Sequence, residues 1–406
     1  MKSSLAKLKS NDISVEMRLL LLCSVNHILD EQQEKIRELT SGRIDWNQFL
    51  DLSFKSRTYP VIYKNLTKIQ NSCINNNILV TLEKKCKENQ MNAIKLMAEL
   101  LRVMELFEKQ RIRAISLKGP LLGRSLYGDI TLRTSRDLDI LVNPEDIKKA
   151  ENVLITAGYE KEACTDSLSS KQMDILIKTN HHFSYINKKT GVLIELHWKY
   201  YYDSYNFQFE EIWGRKTEVE VSGKKVNVLN TENNFLYLVF HGSKHAWKRL
   251  RWLCDVCEII LKNDLDWEYI KERANKLEIS HMLGQALILS NFFFKTELHN
   301  DLFDDDRTYK TAVKLANMAL PFVLNTDGSA ELPGHHLYLN FKKYMMIWNT
   351  SASKKFGYIR MHFYPIQSDF EEIKFKDRWF FMYYITRPLF KLGRMLWNNG
   401  KQDKQK

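Results

Sequence analysis

Up to about residue 110, apolar residues recur at intervals of three and four. Ile94, Met97, Leu101 and Met104 form one such row, and Leu100 and Phe107 widen it. This spacing predicts amphipathic helices, because side chains three and four apart share a helix face. The pattern changes at residues 111–117, Arg-Ile-Arg-Ala-Ile-Ser-Leu, a short β-type run ended by Lys118-Gly119-Pro120. A helix over roughly Leu121–Tyr127 and a strand over Arg136–Val142 follow. Asn143-Pro144 closes that strand and opens a helix to about Ala157, since proline suits the first helical turn, and Gly158 ends it. His182–Ile186 and Val192–His197 flank a polar turn with Gly191 and predict a hairpin. Thr217–Leu229 is a last β-like piece with a turn at Ser222-Gly223, and Thr231-Glu232-Asn233-Asn234 reads as the start of helices that dominate the remainder.

The pattern divides the chain into a helical region over 1–110, a small α/β core over 111–230 and a second helical region over 231–400. At 406 residues, with 44% apolar and 27% charged residues, the chain can bury a sizeable core, and folding throughout is expected. No internal repeat stands out, and only the polar, lysine-rich end Lys401–Lys406 is expected to fray. A net charge of +12 attracts polyanions without choosing among phosphates, nucleotides, nucleic acid and anionic lipid. No apolar run is long enough to span a bilayer, so no integral membrane segment is expected, and a cytoplasmic location is. Six scattered cysteines do not resemble a disulfide framework. Cys254 and Cys257 sit in an apolar helical stretch, which favours buried helix cysteines over zinc or redox chemistry.

The candidate chemistry starts at Asp137 and Asp139. Alternate residues of a strand project from one face, so the two carboxylates share a small volume while Leu138 and Ile140 point into the core. Their repulsion is relieved by a hard divalent cation such as Mg2+, which takes carboxylate oxygens and bridges them to phosphates. Glu195, the one acid in the apolar strand Leu193-Ile194-Glu195-Leu196, is the candidate third carboxylate, aligned with the aspartates across a sheet. Asp-x-Asp by itself is common by chance, and Glu195 alone can be a solvent-facing strand residue. The combination of strand, Lys-Gly turn, helix, Asp-x-Asp and a later single acid carries the reading.

The stretch Leu117-Lys118-Gly119, Leu126-Tyr127-Gly128-Asp129, Arg133 and Arg136-Asp137-Leu138-Asp139-Ile140-Leu141-Val142 resembles the uncharacterised bacterial nucleotidyltransferase family of the DNA polymerase β-like superfamily. Glu195-Leu196-His197-Trp198, His241-Gly242-Ser243-Lys244-His245-Ala246-Trp247 and Arg249-Leu250-Arg251-Trp252-Leu253-Cys254-Asp255 extend the resemblance over most of residues 110–260. It implies an α+β architecture, a small mixed-sheet nucleotidyltransferase core flanked by mainly helical regions. It also implies an enzyme with an NTP donor, magnesium on Asp137 and Asp139, and Glu195 completing a carboxylate triad. One departure stands out. The superfamily's turn is usually Gly-Ser or Gly-Gly, whereas this chain has Lys118-Gly119-Pro120, so the usual serine contact to phosphate is missing.

Lys118 is the candidate replacement charge, with Gly119 allowing close approach of a phosphate, although a surface lysine in a turn is the plainer reading. Arg133 and Arg136 are candidate phosphate clamps, Arg133 the better of the two, and either can instead pair with a neighbouring aspartate. Lys244, His245, Arg249 and Arg251 lie in a basic, aromatic helical segment that either closes over the nucleotide or is a solvated helix face, with Asp255 as a candidate orienting group. His241 and His245 share a helix face but lack a clear third ligand for zinc. Near the C-terminus, Trp379-Phe380-Phe381-Met382-Tyr383-Tyr384, Arg387-Pro388-Leu389-Phe390 and Lys391 either pack against the helical region or make a peripheral membrane or partner contact.

The function expected from these residues is transfer of a nucleoside monophosphate from an NTP such as ATP to an acceptor, with release of pyrophosphate. The acceptor can be a small molecule, a peptide, a protein or RNA. Two alternatives stay open: a metal-dependent glycosyltransferase using a sugar nucleotide, and a catalytically inactive binding or scaffold protein of the same fold.

Overall fold

The computed structural model describes residues 13–69, 73–162, 168–199, 208–299, 302–303, 305–324 and 334–389; Cys164, Phe390, Lys391 and the Lys401–Lys406 end lie outside them. Four helices, Val15–Cys23, Asp30–Ser41, Trp46–Ser56 and Tyr59–Ile69, precede a single 34-residue helix, Asn76–Lys109. Its buried face runs through Ala93, Met97, Leu100, Met104 and Phe107. Ile94 departs from the row predicted for it and is 49% exposed. Leu101, partly buried, packs at the edge of the same stripe.

The strands are β1 (Ala114–Ser116), β2 (Asp137–Val142), β3 (Glu160–Lys161), β4 (His182–Asn187), β5 (Val192–His197), β6 (Thr217–Val221) and β7 (Lys224–Val228). They form one mixed sheet in the order β3-β4-β5-β2-β1-β7-β6. The fold is thus α+β, with helical flanks on a small mixed sheet. Pairing is antiparallel within the hairpins β4–β5 and β6–β7, and parallel between β2 and β5 and between β1 and β7. Ser222 and Gly223, both at positive φ, make the tight β6–β7 turn.

The sheet has a core on each face. Leu138, Ile140 and Val142 of β2 join Leu96, Leu100 and Phe107 of the long helix in one cluster. Leu141, pointing the other way, joins Leu236 and Phe240 of helix Thr231–Lys244 in the second. That second cluster extends through helices Leu250–Lys262, Ser280–Phe294 and Asp306–Leu324. Cys254 and Cys257 are both buried on Leu250–Lys262, as the spacing predicted. In the C-terminal aromatic stretch Phe380 and Tyr383 are buried, while Trp379 and Phe381 are each 51% exposed.

Two contacts fix how the C-terminal helices sit on the sheet. Arg133, in the approach to β2, donates from Nε and Nη2 to Asp255 at 3.0–3.1 Å, and Tyr127 donates to the same carboxylate at 3.0 Å. Asp255 is fully buried, so this pair is held by complete hydrogen bonding in a dry setting. The second contact is the end of helix Thr231–Lys244. Trp247 N–H bonds to Gly242 O and Ala246 N–H to Ser243 O, the paired bonds of a Schellman cap, with Ala246 left-handed at φ 49 where glycine is usual. Trp247 folds back under Gly242 and is fully buried.

Two outcomes follow from these contacts. A Cβ at residue 242 would sit 2.2 Å from the Trp247 ring, so Gly242→Ala is expected to cost about 1–3 kcal/mol in urea unfolding through overpacking. Asp255→Ala strands the Arg133 guanidinium and is expected to cost about 3–5 kcal/mol in the same measurement; a loss below that of an ordinary surface substitution would refute the role given to the pair.

Candidate active site

The β2–β5 register places Asp139 opposite Glu195 and Asp137 opposite Leu193. Asp137, Asp139, Glu195 and His197 therefore lie on one face of the sheet, the face towards helix Thr231–Lys244. On the neighbouring strand His182 is opposite His197 and Ser184 opposite Glu195. The ladder from β1 continues past its end through Leu117 N–H to Asp139 O at 3.0 Å, which sets Lys118 beside Asp139. Gly119 then turns at φ 83, a conformation that a side chain would strain, and Pro120 starts helix Pro120–Tyr127. Asn89 and Asn92 of the long helix donate to Thr131 O and Ser135 O, which hold the loop leading into β2.

Asp139 is 3% exposed. Its burial works against ionisation, but Lys118 Nζ at 3.1 Å and His197 Nε2 at 3.2 Å outweigh it and hold its carboxyl well below the usual range. His197 Nε2 also lies 3.3 Å from Glu195 Oε2. Burial alone would lower His197, yet these two carboxylates raise it. Asp137 moves the opposite way. Burial and then repulsion from Asp139 push its carboxyl up, with Glu195 adding to the repulsion. One ligand atom each from Asp139, Glu195 and His197 come within 4.8 Å of one another. A crowded set of oxygens in which Asp137 resists ionisation suits a divalent cation, which would remove that repulsion.

These groups line a cavity of about 340 Å3 between the sheet and the helices Thr231–Lys244 and Leu250–Lys262. Eight lysines and arginines face three carboxylates around it. Arg57 and Arg251 are pushed down to about 10 and about 9, each by burial first and then by a neighbouring arginine. Both are still cations at neutral pH, and the shift reports burial first and positive charge beside positive charge second.

The candidates named from sequence fall into three placements. Lys118, Gly119, Lys244, His245 and Arg249 line the cavity together with the three carboxylates. Arg133 also reaches the lining, but its guanidinium is committed to Asp255, whereas Arg136 is exposed at the mouth; their placement reverses the order expected for phosphate clamps. Burial and then Lys244 hold His245 well below its ordinary value, and burial with Lys118 does the same to His241, so both rings are neutral N–H donors or acceptors. Asp255 orients a basic group, although it is Arg133 rather than one from its own segment.

Several lining residues were not anticipated. Arg57 is the left-handed cap of helix Trp46–Ser56, at φ 61, and no local pattern marks it. Tyr237, one helical turn before His241, lies beneath Lys118, whose Nζ is 5.6 Å from its ring centroid. His182 was legible in principle, since counting back from the predicted hairpin turn sets it opposite His197.

A family model described as an uncharacterised nucleotidyltransferase matches residues 42–295. No curated protein matches the chain. The matched range takes in Arg57, the whole sheet and both helices over the cavity. With more than half of its length matched and all three carboxylates inside the match, the chain belongs to this family of uncharacterised nucleotidyltransferases.

Proposed function

We propose that the protein transfers a nucleoside monophosphate from an NTP to an acceptor, using magnesium, and releases pyrophosphate. The observation that supports this is a cavity lined by charges of both signs. Asp137, Asp139 and Glu195 form an anionic corner, and Arg57, Arg136, Lys248 and Arg249 form a cationic rim. A bare anion is repelled from the first and a bare cation from the second. A magnesium triphosphate matches both.

Asp137, Asp139 and Glu195 are the residues that would hold magnesium, which supplies neutralisation of phosphate charge and a more acidic attacking oxygen when bound. Lys118 reaches Asp139 at 3.1 Å and is close enough to the same corner to contact a phosphate oxygen. Gly119, lacking a side chain at the helix start, leaves backbone N–H groups approachable by an anion. Arg57, Arg136, Lys244 and Arg249 steady the triphosphate as charged donors, and His245 as a neutral one. Glu195 accepts the proton from the acceptor oxygen as that oxygen bonds to the α-phosphorus and the bond to pyrophosphate breaks. The acceptor enters beside His181, which also lines a second cavity of about 320 Å3 against helices Gly334–Trp348 and Ala352–Arg360.

The test is incubation of the purified protein with each α-labelled NTP, magnesium and cell extract. Label is expected in a product together with free pyrophosphate, lost on chelation and restored by magnesium. Full transfer by Asp139→Asn, or an absence of metal-dependent NTP binding in calorimetry, would sink the assignment. In the same assay Glu195→Gln is expected to lower kcat by roughly 10²–10⁴-fold, the range for loss of a general base. Arg57→Ala and Arg249→Ala are each expected to raise the KM for NTP by about tenfold while altering kcat little, as loss of one charge-assisted contact does; a fall in kcat alone would move these arginines from donor binding to chemistry.

A further inference from the structure

The imidazoles of His181, His182 and His197 have no part in the transfer scheme above, yet the hairpin gathers them at one place. One ring nitrogen from each lies within 4.8 Å of one from each of the others. The ring centroids of His182 and His197 are 4.9 Å apart, and those of His181 and His182 4.5 Å. His197 is 4% exposed, and its two ring nitrogens have opposite surroundings. Nε2 faces Asp139 and Glu195 at 3.2 and 3.3 Å. Nδ1 is buried with no hydrogen-bond partner among the described residues. His182 Nδ1 is likewise buried without a partner, while its Nε2 lies 3.8 Å from Glu195 Oε1, beyond hydrogen-bond distance.

At His197 the carboxylates occupy Nε2, and Nδ1 is the nitrogen left without a partner among the described residues. Histidines that ligate metals are typically arranged in this way, with the remote N–H given to a carboxylate. A buried nitrogen without a hydrogen-bond partner is otherwise unfavourable, and here two neighbouring rings each carry one. We propose that His181, His182 and His197 form a site for a first-row transition ion of the zinc class, separate from the oxygen-lined magnesium position. Imidazole nitrogen suits zinc and cobalt, whereas magnesium prefers oxygen. Three protein ligands leave a fourth position open, and all three histidines line the cavity, so that position faces the substrates. The ion fixes the ring of His197 and with it the Nε2 contacts to Asp139 and Glu195. His197 is therefore a positioning residue for the carboxylates.

The test uses the full chain, stripped with a chelator and titrated with Co2+ alone. One equivalent is expected to bind with the intense visible bands of a low-coordinate cobalt, to be displaced by Zn2+ and to raise the Tm. His181→Gln and His182→Gln are each expected to weaken binding by more than the roughly 10- to 100-fold that loss of an outer-shell partner costs. Asp137→Asn, outside the ring cluster, is expected to keep the bands. Circular dichroism of each variant confirms that a loss of binding is not a loss of fold. The proposal falls if cobalt does not bind, if binding survives both histidine substitutions in folded protein, or if Asp137→Asn removes it, which would place the ion among the carboxylates. Because no nucleotide is present, cobalt bound at the rings stands even if magnesium NTP does not bind, and failure of cobalt leaves the transfer reading untouched.

Discussion

Asp139 is almost wholly buried, faces Glu195 across a parallel strand pair and shares its sheet face with Asp137. Desolvation and like charge both oppose keeping that set ionised, and each works harder in a medium poorer in water. The surroundings of β2 answer this. The end of β1 is tied to Asp139 O, so Lys118 arrives at the carboxylate; the strand register brings His197 to its other side. Gly119 must then turn at positive φ to release the chain into a helix within one residue. A change that displaced either partner would leave the carboxylates to protonate or the strand to shift, so the turn, the register and the charges are one arrangement.

The helices above the sheet are held by a second buried pair, Arg133 and Asp255, and by a polar knot at the end of helix Thr231–Lys244. There Trp348 Nε1 donates to Ser243 Oγ, Ser243 Oγ to Gln285 Oε1 and Tyr344 OH to Ser243 O. Networks of this kind are costly unless every member is satisfied, and this one joins three helices at the position from which Lys244 and His245 enter the cavity. Ala246 and Trp247, both left-handed, complete the turn. The strain of two such residues is sustained by the fully buried indole, so packing, rather than local preference, decides where the cationic rim points.

Much of the sheet was legible because its signals are local. The hairpins β4–β5 and β6–β7 are bounded by polar turns with glycine, and the alternation in β2 sets Asp137 and Asp139 opposite to Leu138 and Ile140. The hidden features depend on long-range pairing. Nothing near Arg57 announces that a helix cap in the N-terminal region meets the cavity, and nothing in β7 announces that Val228 pairs with Ser116. Arg133 shows the same limit in reverse. Its sequence position just before β2 suggested a phosphate contact, while its partner lies in a helix much later in the chain. That His245 is held neutral by burial and then by Lys244 is likewise set by the fold and not by its neighbours in sequence alone.

The net charge of +12 is a weak guide to partners, but its distribution narrows them. An extended polyanion needs cations strung along an open face, because each phosphate contact is made separately and screened by salt. Here basic side chains from the N-terminal helices, the β1 turn and two C-terminal helices converge on one concavity of about 340 Å3. Arg57 and Arg251 are lowered by burial first and by a neighbouring arginine second, so the fold holds this positive charge at a cost that a small multivalent anion would relieve. The carboxylates a few residues away prevent that anion from being any anion. On the proposed reading, an anion that arrives with, or meets, a divalent cation relieves both groups of charge, and a nucleoside triphosphate supplies that combination without requiring the cavity to change its charge.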